Sequence, residues 1–214
     1  YIGIAGRFPE DEYNMEVAQD GLAQCKESLE REQTISEVLF ALDEAESDED
    51  AMQMTNSLLD LCVLCLENER YADVILYGTQ LARLALEESD ISSQIAAHRH
   101  VGQSYTALTQ SHAAAQEYRE EIRLLGRDSK VYQECTTANI NLGDALKALS
   151  KYDSSLAAFR EATHLAKKVN SLKDQVDALS GVQYQLWALK VPSSELNACT
   201  LELVELRARY EQEE

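Results

Sequence analysis

The sequence predicts an all-α protein: a single array of about five antiparallel helical hairpins. Three features predict it. Gly (8) and Pro (2) are scarce among 214 residues, so long stretches run without a helix breaker. Apolar residues recur at three- and four-residue steps along most of the chain, the spacing of one helix face. A small residue also returns about every 40 residues, which marks an internal repeat.

Residues 139–162, NINLGDALKALSKYDSSLAAFREA, display the unit. Leu142, Ala145, Leu146 and Leu149 line one helix, and Leu156, Phe159, Ala162 and Leu165 line the next. The link Ser150-Lys151-Tyr152-Asp153 is short enough to make the two helices antiparallel neighbours. Gly inside a helix costs about 1 kcal/mol relative to Ala, so Gly143 needs a compensating role. With Ser155, Ala158 and Ala162 it lets the two backbones approach, while Leu142, Leu146 and Phe159 fill the remaining space. Stepping from Gly143 by 41, 40 and 41 residues toward the N-terminus reaches Gly102, Cys62 and Gly21, and 38 residues forward lies Gly181.

From this unit the elements follow in order. Residues 1–11, YIGIAGRFPED, hold two Gly and one Pro and read as an extended arm. Residues 12–214 read as one repeat domain of ten helices, at 12–30, 32–46, 49–67, 70–88, 91–109, 112–126, 129–149, 152–169, 171–190 and 193–212. Ser47, followed by Asp48, Glu49 and Asp50, supplies a cap and then acids at the positive end of the third helix dipole. Asp90 and Asp128 stand where caps belong, and Pro192 closes the ninth helix before Ser193 or Ser194 opens the tenth.

Composition limits function. The formal charge of -19 repels phosphate backbones and anionic lipid, so nucleic acid and membrane are disfavoured and basic or mixed-charge protein segments are the expected partners. Five Cys, an odd number spread along the chain, suggest no disulfide framework. A reducing compartment, the cytoplasm or nucleus, is the expectation. No signal peptide is evident, and no apolar run reaches the ~18–20 residues that span a bilayer.

The motifs that carry chemistry elsewhere are weak here. Cys62-Val63-Leu64-Cys65 lies inside the apolar run LLDLCVLCL and lacks a second pair for zinc, so packed core thiols are expected. His98 and His100 sit two residues apart on a helix and cannot easily share a metal. By helical phase His98 faces its hairpin partner, while Arg99 and His100 face the other side. Gly3-Ile4-Ala5-Gly6 lacks the Lys-Ser/Thr ending and the preceding strand of a phosphate loop. No nucleophile accompanies a His and an acid in a specific pattern. Neither catalysis nor a cofactor or metal is expected.

The repeat wording resembles a known family. Val101-Gly102-Gln103-Ser104-Tyr105 with Ala114 and Tyr118, and more fully Leu142-Gly143 with Leu146, Ser155, Phe159 and Ala162, are similar to the tetratricopeptide repeat. The period near 40 resembles its long-repeat branch, which includes Pins-type spindle adaptors, rapsyn and kinesin light chain. Cys62 and Gly78 depart from the pattern in the second repeat, and Asn197 takes the usual aromatic position in the fifth. The resemblance implies a right-handed superhelix whose concave groove, lined by the first helix of each hairpin, binds a peptide or partner helix.

If Gly143 marks the packing contact, residues three and two before it and one and four after it face that groove. This selects Asn141, Asp144 and Lys147 with Ile140, and Arg99, His100, Gln103 and Thr106 one repeat earlier. It selects Asp60 with Leu59, Val63 and Leu66, beside Glu67, and, in the last repeat, Gln185 with Ala178, Leu179 and Val182. The Lys positions of the family's chaperone-type carboxylate clamp hold Ile140, Ala178 and Leu59, which argues against a chaperone adaptor. The expected function is a non-catalytic adaptor or scaffold with a protein-binding groove. One alternative is a structural subunit that packs into a larger complex through its terminal helices, where Leu201, Leu203, Val204 and Leu206 supply apolar surface. Another is a ligand-binding or catalytic helical domain using its Cys or His residues.

Overall fold

The computed structural model describes residues 9–126 and 131–213. Most of the expected N-terminal arm and the Asp128 cap therefore lie outside the described residues. Within them every regular element is a helix: α1 (Pro9–Ser47), α2 (Ala51–Glu67), α3 (Tyr71–Glu87), α4 (Ile91–Ala107), α5 (Ser111–Leu125), α6 (Tyr132–Ala148), α7 (Tyr152–Lys168), α8 (Leu172–Ala188) and α9 (Ser193–Glu213). Each helix packs against the next, and the first helices α2 and α4, like α6 and α8, also touch directly. This is the all-α array of stacked hairpins that the 40-residue period predicts.

The N-terminal hairpin expected at 12–30 and 32–46 is replaced by one continuous helix of 39 residues. The sequence between Glu30 and Thr34 contains no Gly, Pro or Asn to turn the chain, so the helix runs on. Ile35, Leu42 and Ala45 in its second half are buried, whereas every residue from Gly21 to Thr34 is exposed. Gly21 has nothing within 4 Å of a Cβ placed on it, so it is not a packing position and the match by spacing was fortuitous.

The remaining helices keep a strict rhythm. Helices α2, α3, α4, α6, α7 and α8 are each 17 residues long. All seven described connections use one geometry. A non-glycine residue adopts positive φ just past the helix end: Glu49, Glu69, Ser89, Thr109, Ser150, Asn170 and Lys190. The next amide reaches back five residues, as in Arg70 N to Cys65 O (2.8 Å) and Asp90 N to Ala85 O (2.8 Å). These are Schellman closures that satisfy the last carbonyls of each helix. Asp50 and Asp90 cap the helices that follow, accepting from Gln53 N at 3.0 Å and Ser93 N at 3.2 Å. The cap of α2 is therefore Asp50, while Ser47 ends α1 and donates to the Asp43 carbonyl.

Glycine packing explains how tightly the hairpins stack. A Cβ at Gly102 would lie 2.7 Å from the Tyr118 ring, and one at Gly143 2.8 Å from the Phe159 ring. In both hairpins the aromatic ring of the second helix packs directly on the glycine of the first. In the hairpin α2–α3 the sizes are exchanged. Gly78 stands in the aromatic position and faces Cys62 Sγ, and Val101 of the next hairpin fills the space. Buried polar side chains hold the same joints: Ser155 Oγ donates to the Gly143 carbonyl (2.7 Å). Gln94 Nε2 donates to Ala85 O (3.0 Å) and Gln175 Nε2 to Ala166 O (3.5 Å), bonding α4 and α8 to the end of the hairpin before each.

The last repeat is two residues out of the expected register. Gly181 packs not on its own partner helix but on Phe159 of the preceding hairpin, 2.4 Å from a Cβ placed on it. The position equivalent to Gly143, eleven residues after the helix start, is Gln183. Its partner is Thr200 rather than Asn197, and Gln183 Nε2 donates to Thr200 Oγ1 at 2.9 Å. A hydrogen bond replaces the glycine–aromatic contact there.

Candidate functional site

The first helices α2, α4, α6 and α8 present the face where the expected groove residues belong. Helix α6 gives its centre. Asp144 is exposed and Asn141 and Lys147 are half-buried on one side of α6, because Leu142, Gly143, Ala145 and Leu146 occupy the buried side. Lys147 Nζ forms an ion pair with Asp144 and stands 5.9 Å from the Phe159 ring centroid and 5.7 Å from that of Tyr184. One repeat earlier, exposed Thr106 lies 3.0 Å from the Tyr118 hydroxyl, which reaches the face from α5. Burial pushes the Tyr118 phenol above its usual value, opposed by the hydrogen bond to Thr106, with the charges of Glu121 and Asp144 adding to the rise. Burial likewise raises Asp177 on α8, with Lys173 opposing and Asp174 and Asp144 adding.

The other expected residues divide. Asp60 and Glu67 are exposed on α2, as the helical phase requires. Arg99 does not point freely outward. Its Nε donates at 2.7 Å to Glu121 Oε1 on α5, a carboxylate that is fully buried. A buried carboxylate without a cation is costly, so the guanidinium folds across its own hairpin instead. Burial raises the Glu121 carboxyl, opposed by the hydrogen bond and charge of Arg99. His98 pairs with Glu117 on α5 at 2.7 Å, as its phase predicts. His100 and Gln103 are half-buried, and His100 Nδ1, Gln103 Oε1 and Glu121 Oε2 are buried atoms without a hydrogen-bond partner. Burial lowers His100, partly offset by Gln103.

In α8 the expected residues fail together. Ala178, Leu179, Val182 and Gln185 are all buried, and Gln185 leaves both amide atoms without a partner. The cause is the two-residue register shift at Gly181. With Gln183 as the reference, the same rule selects Ser180, Gly181, Tyr184 and Trp187, of which Gly181 is buried against Phe159 and the other three reach the surface. Tyr184 and Trp187 are 45% and 66% exposed and pair with ring centroids 6.0 Å apart, tilted by 49°. Their spacing from the helix start, twelve and fifteen residues, matches Asp144 and Lys147, and that signal was present in the sequence.

The CxxC pair is packed in the core. Cys62 and Cys65 are fully buried, and burial pushes Cys62 up to about 12, with Cys65 adding. A thiol held so far above neutrality carries almost no thiolate. Among the described residues no cluster of three His, Cys, Asp or Glu side chains could hold a metal ion. No protein-family model matches the chain, and no curated protein matches it.

Proposed function

We propose that this protein is a non-catalytic adaptor of tetratricopeptide type, and that the face of its first helices binds an extended or helical segment of a partner protein. One observation carries the reading: the row Thr106, Asp144, Lys147 and Tyr184, presented by three successive first helices and supported from behind by the buried aromatics Tyr118 and Phe159. The row alternates donors, acceptors, a cation and an aromatic surface, while Asp60 and Glu67 extend it with negative charge. Such a surface suits a mixed-charge peptide with an apolar anchor. Repeat arrays expose extended surfaces of this kind, and each hairpin adds a few contacts. The glycine–aromatic pairs Gly102/Tyr118 and Gly143/Phe159 support the family assignment. The net charge of -19 favours a basic or mixed-charge partner. No helix among the described residues is long and apolar enough to cross a membrane, and a cytoplasmic or nuclear site belongs to the same proposal.

The test inverts the row without removing its ion pair. Asp144→Lys with Lys147→Asp keeps opposite charges three residues apart but exchanges their places. Partners captured on the immobilised protein should be lost with this double variant and retained with Arg119→Glu on α5, at unchanged thermal stability. Retention by the double variant would refute groove recognition.

A second reading draws on Leu201 and Val204, which are exposed on α9. They favour packing through the terminal helices within a larger assembly.

A further inference from the structure

The joint between α5 and α6 departs from the rhythm of the others. Helix α5 has 15 residues against 17 in α4 and α6. Six residues separate Leu125 from Tyr132, where the other links hold three or four. Beside this joint lies a cleft of about 590 Å³, bounded by α5, α6 and α7. That volume is in the range of small-molecule sites. Cys135 lines the cleft and stands nine residues before Asp144, half a turn round α6 from it. The cleft is therefore separate from the proposed recognition row.

Its lining is mostly apolar. Ile122, Tyr132 and Leu165 line it and belong to one core cluster. Asn139 is the polar group set into that surface, and it is only 7% exposed. Its Nδ2 donates to the Cys135 carbonyl at 2.8 Å, which fixes the orientation of the amide and turns Oδ1 the other way. Among the described residues no donor meets Oδ1. A buried amide oxygen is unfavourable until a donor reaches it, so this wall selects for one.

The charge at the same wall selects further. Glu161 of α7 lines the cleft, exposed and without an ion pair among the described residues. Burial raises the Cys135 thiol, and the charges of Glu134, Glu121 and Glu161 raise it more, so the cleft lies in a negative field. Lys168 stands at the far end, with its Nζ 4.7 Å from the Tyr132 ring centroid. It is two turns along α7 from Glu161, roughly 10 Å, and at that separation its repulsion is largely screened by salt. His164 lies between them, exposed, and its ring can accept as well as donate.

We propose that this cleft binds an organic cation, a primary ammonium or guanidinium group on a short apolar stem. The head donates to Asn139 Oδ1 and to the Glu161 carboxylate, and the stem lies on Ile122, Tyr132 and Leu165. A free small amine and a basic side chain of another protein both carry that chemistry. The net charge of -19 concentrates either one near the surface.

Butylguanidine is the probe, with pentanoate and pentanol as its anionic and neutral counterparts. Titration of the full chain is followed by amide NMR. Butylguanidine should give saturable shifts confined to residues 132–139 and 161–168, and the two counterparts should give none. Glu161→Gln changes an exposed side chain and should weaken binding roughly tenfold, the loss of one charge-assisted hydrogen bond. Glu205→Gln, the same charge change on α9, should leave the affinity unaltered. A capped pentapeptide with a central arginine among alanines separates the two sources. Binding of that peptide as tight as that of butylguanidine assigns the cleft to a side chain of another protein, and binding of butylguanidine alone assigns it to a free amine. Absence of saturable shifts with butylguanidine would overturn the proposal. So would equal losses from Glu161→Gln and Glu205→Gln, which would mean a diffuse cation atmosphere only.

Discussion

Glycine at position 181 and glycine at position 21 are the same residue with opposite consequences. The Phe159 ring lies between Gly143 and Gly181, closer than 3 Å to a Cβ on either, so it has no room to swing aside. Gly181→Ala is expected to cost about 1–3 kcal/mol as an overpacked core substitution. Gly21→Ala meets open space and should cost nothing, since Ala is the better helix former by about 1 kcal/mol. Urea denaturation of both variants checks the reversal. His100 supplies a pH dependence. Its folded value is lowered, chiefly by burial, from an ordinary value of 6.5, so the unfolded chain takes up a proton first. The neutral ring's contribution is complete above pH 6.5 and is lost as pH falls from there toward the lower folded value. Glu121, raised by burial, has the opposite sign: its buried charge is relieved as pH falls. Comparison with His100→Gln isolates the first effect. The stability difference between wild type and variant should shrink between pH 8 and pH 5.5, and a constant difference would refute it.

At the scale of elements, the helix-turn rhythm is the feature least visible in the sequence. Positive φ falls on Glu, Ser, Thr, Asn and Lys, and only Asn170 is a residue that favours it. Composition therefore gave no turn signal of the Gly kind, although helices of 17 residues with three-residue links repeat every 20. Thr109 is the most strained of the seven, being β-branched at φ 58°. Thr109→Gly should raise stability by about 1 kcal/mol, since a left-handed non-glycine residue costs roughly 1–2 kcal/mol and glycine returns part of that gain as chain entropy. A decrease in the denaturation midpoint would contradict this. The fold class, the hairpins from α2 onward and the packing at Gly102 and Gly143 were all legible, because a small residue against an aromatic leaves a mark at fixed spacing. The continuity of α1 was not, because two amphipathic segments whose apolar faces point apart read as two helices. The register of α8 was not, because Gly181 is small for the sake of the preceding hairpin. Arg99 was placed on the right helix, but nothing in the sequence joined it to Glu121, 22 residues away.

Over the whole molecule, each hairpin buries its apolar face only by stacking, so the packing that stabilises the array also positions the proposed recognition face. The aromatics Tyr118 and Phe159 support the outer row and also fill the joints between helices. Recognition by the first-helix face is the central claim, and site-specific cross-linking tests it most directly. A photoreactive residue is placed at Asp144 on α6, and in a separate protein at Arg119 on α5, both exposed positions. One partner protein should be captured from position 144 and not from position 119. Capture from 119 alone, or equally from both, would contradict it.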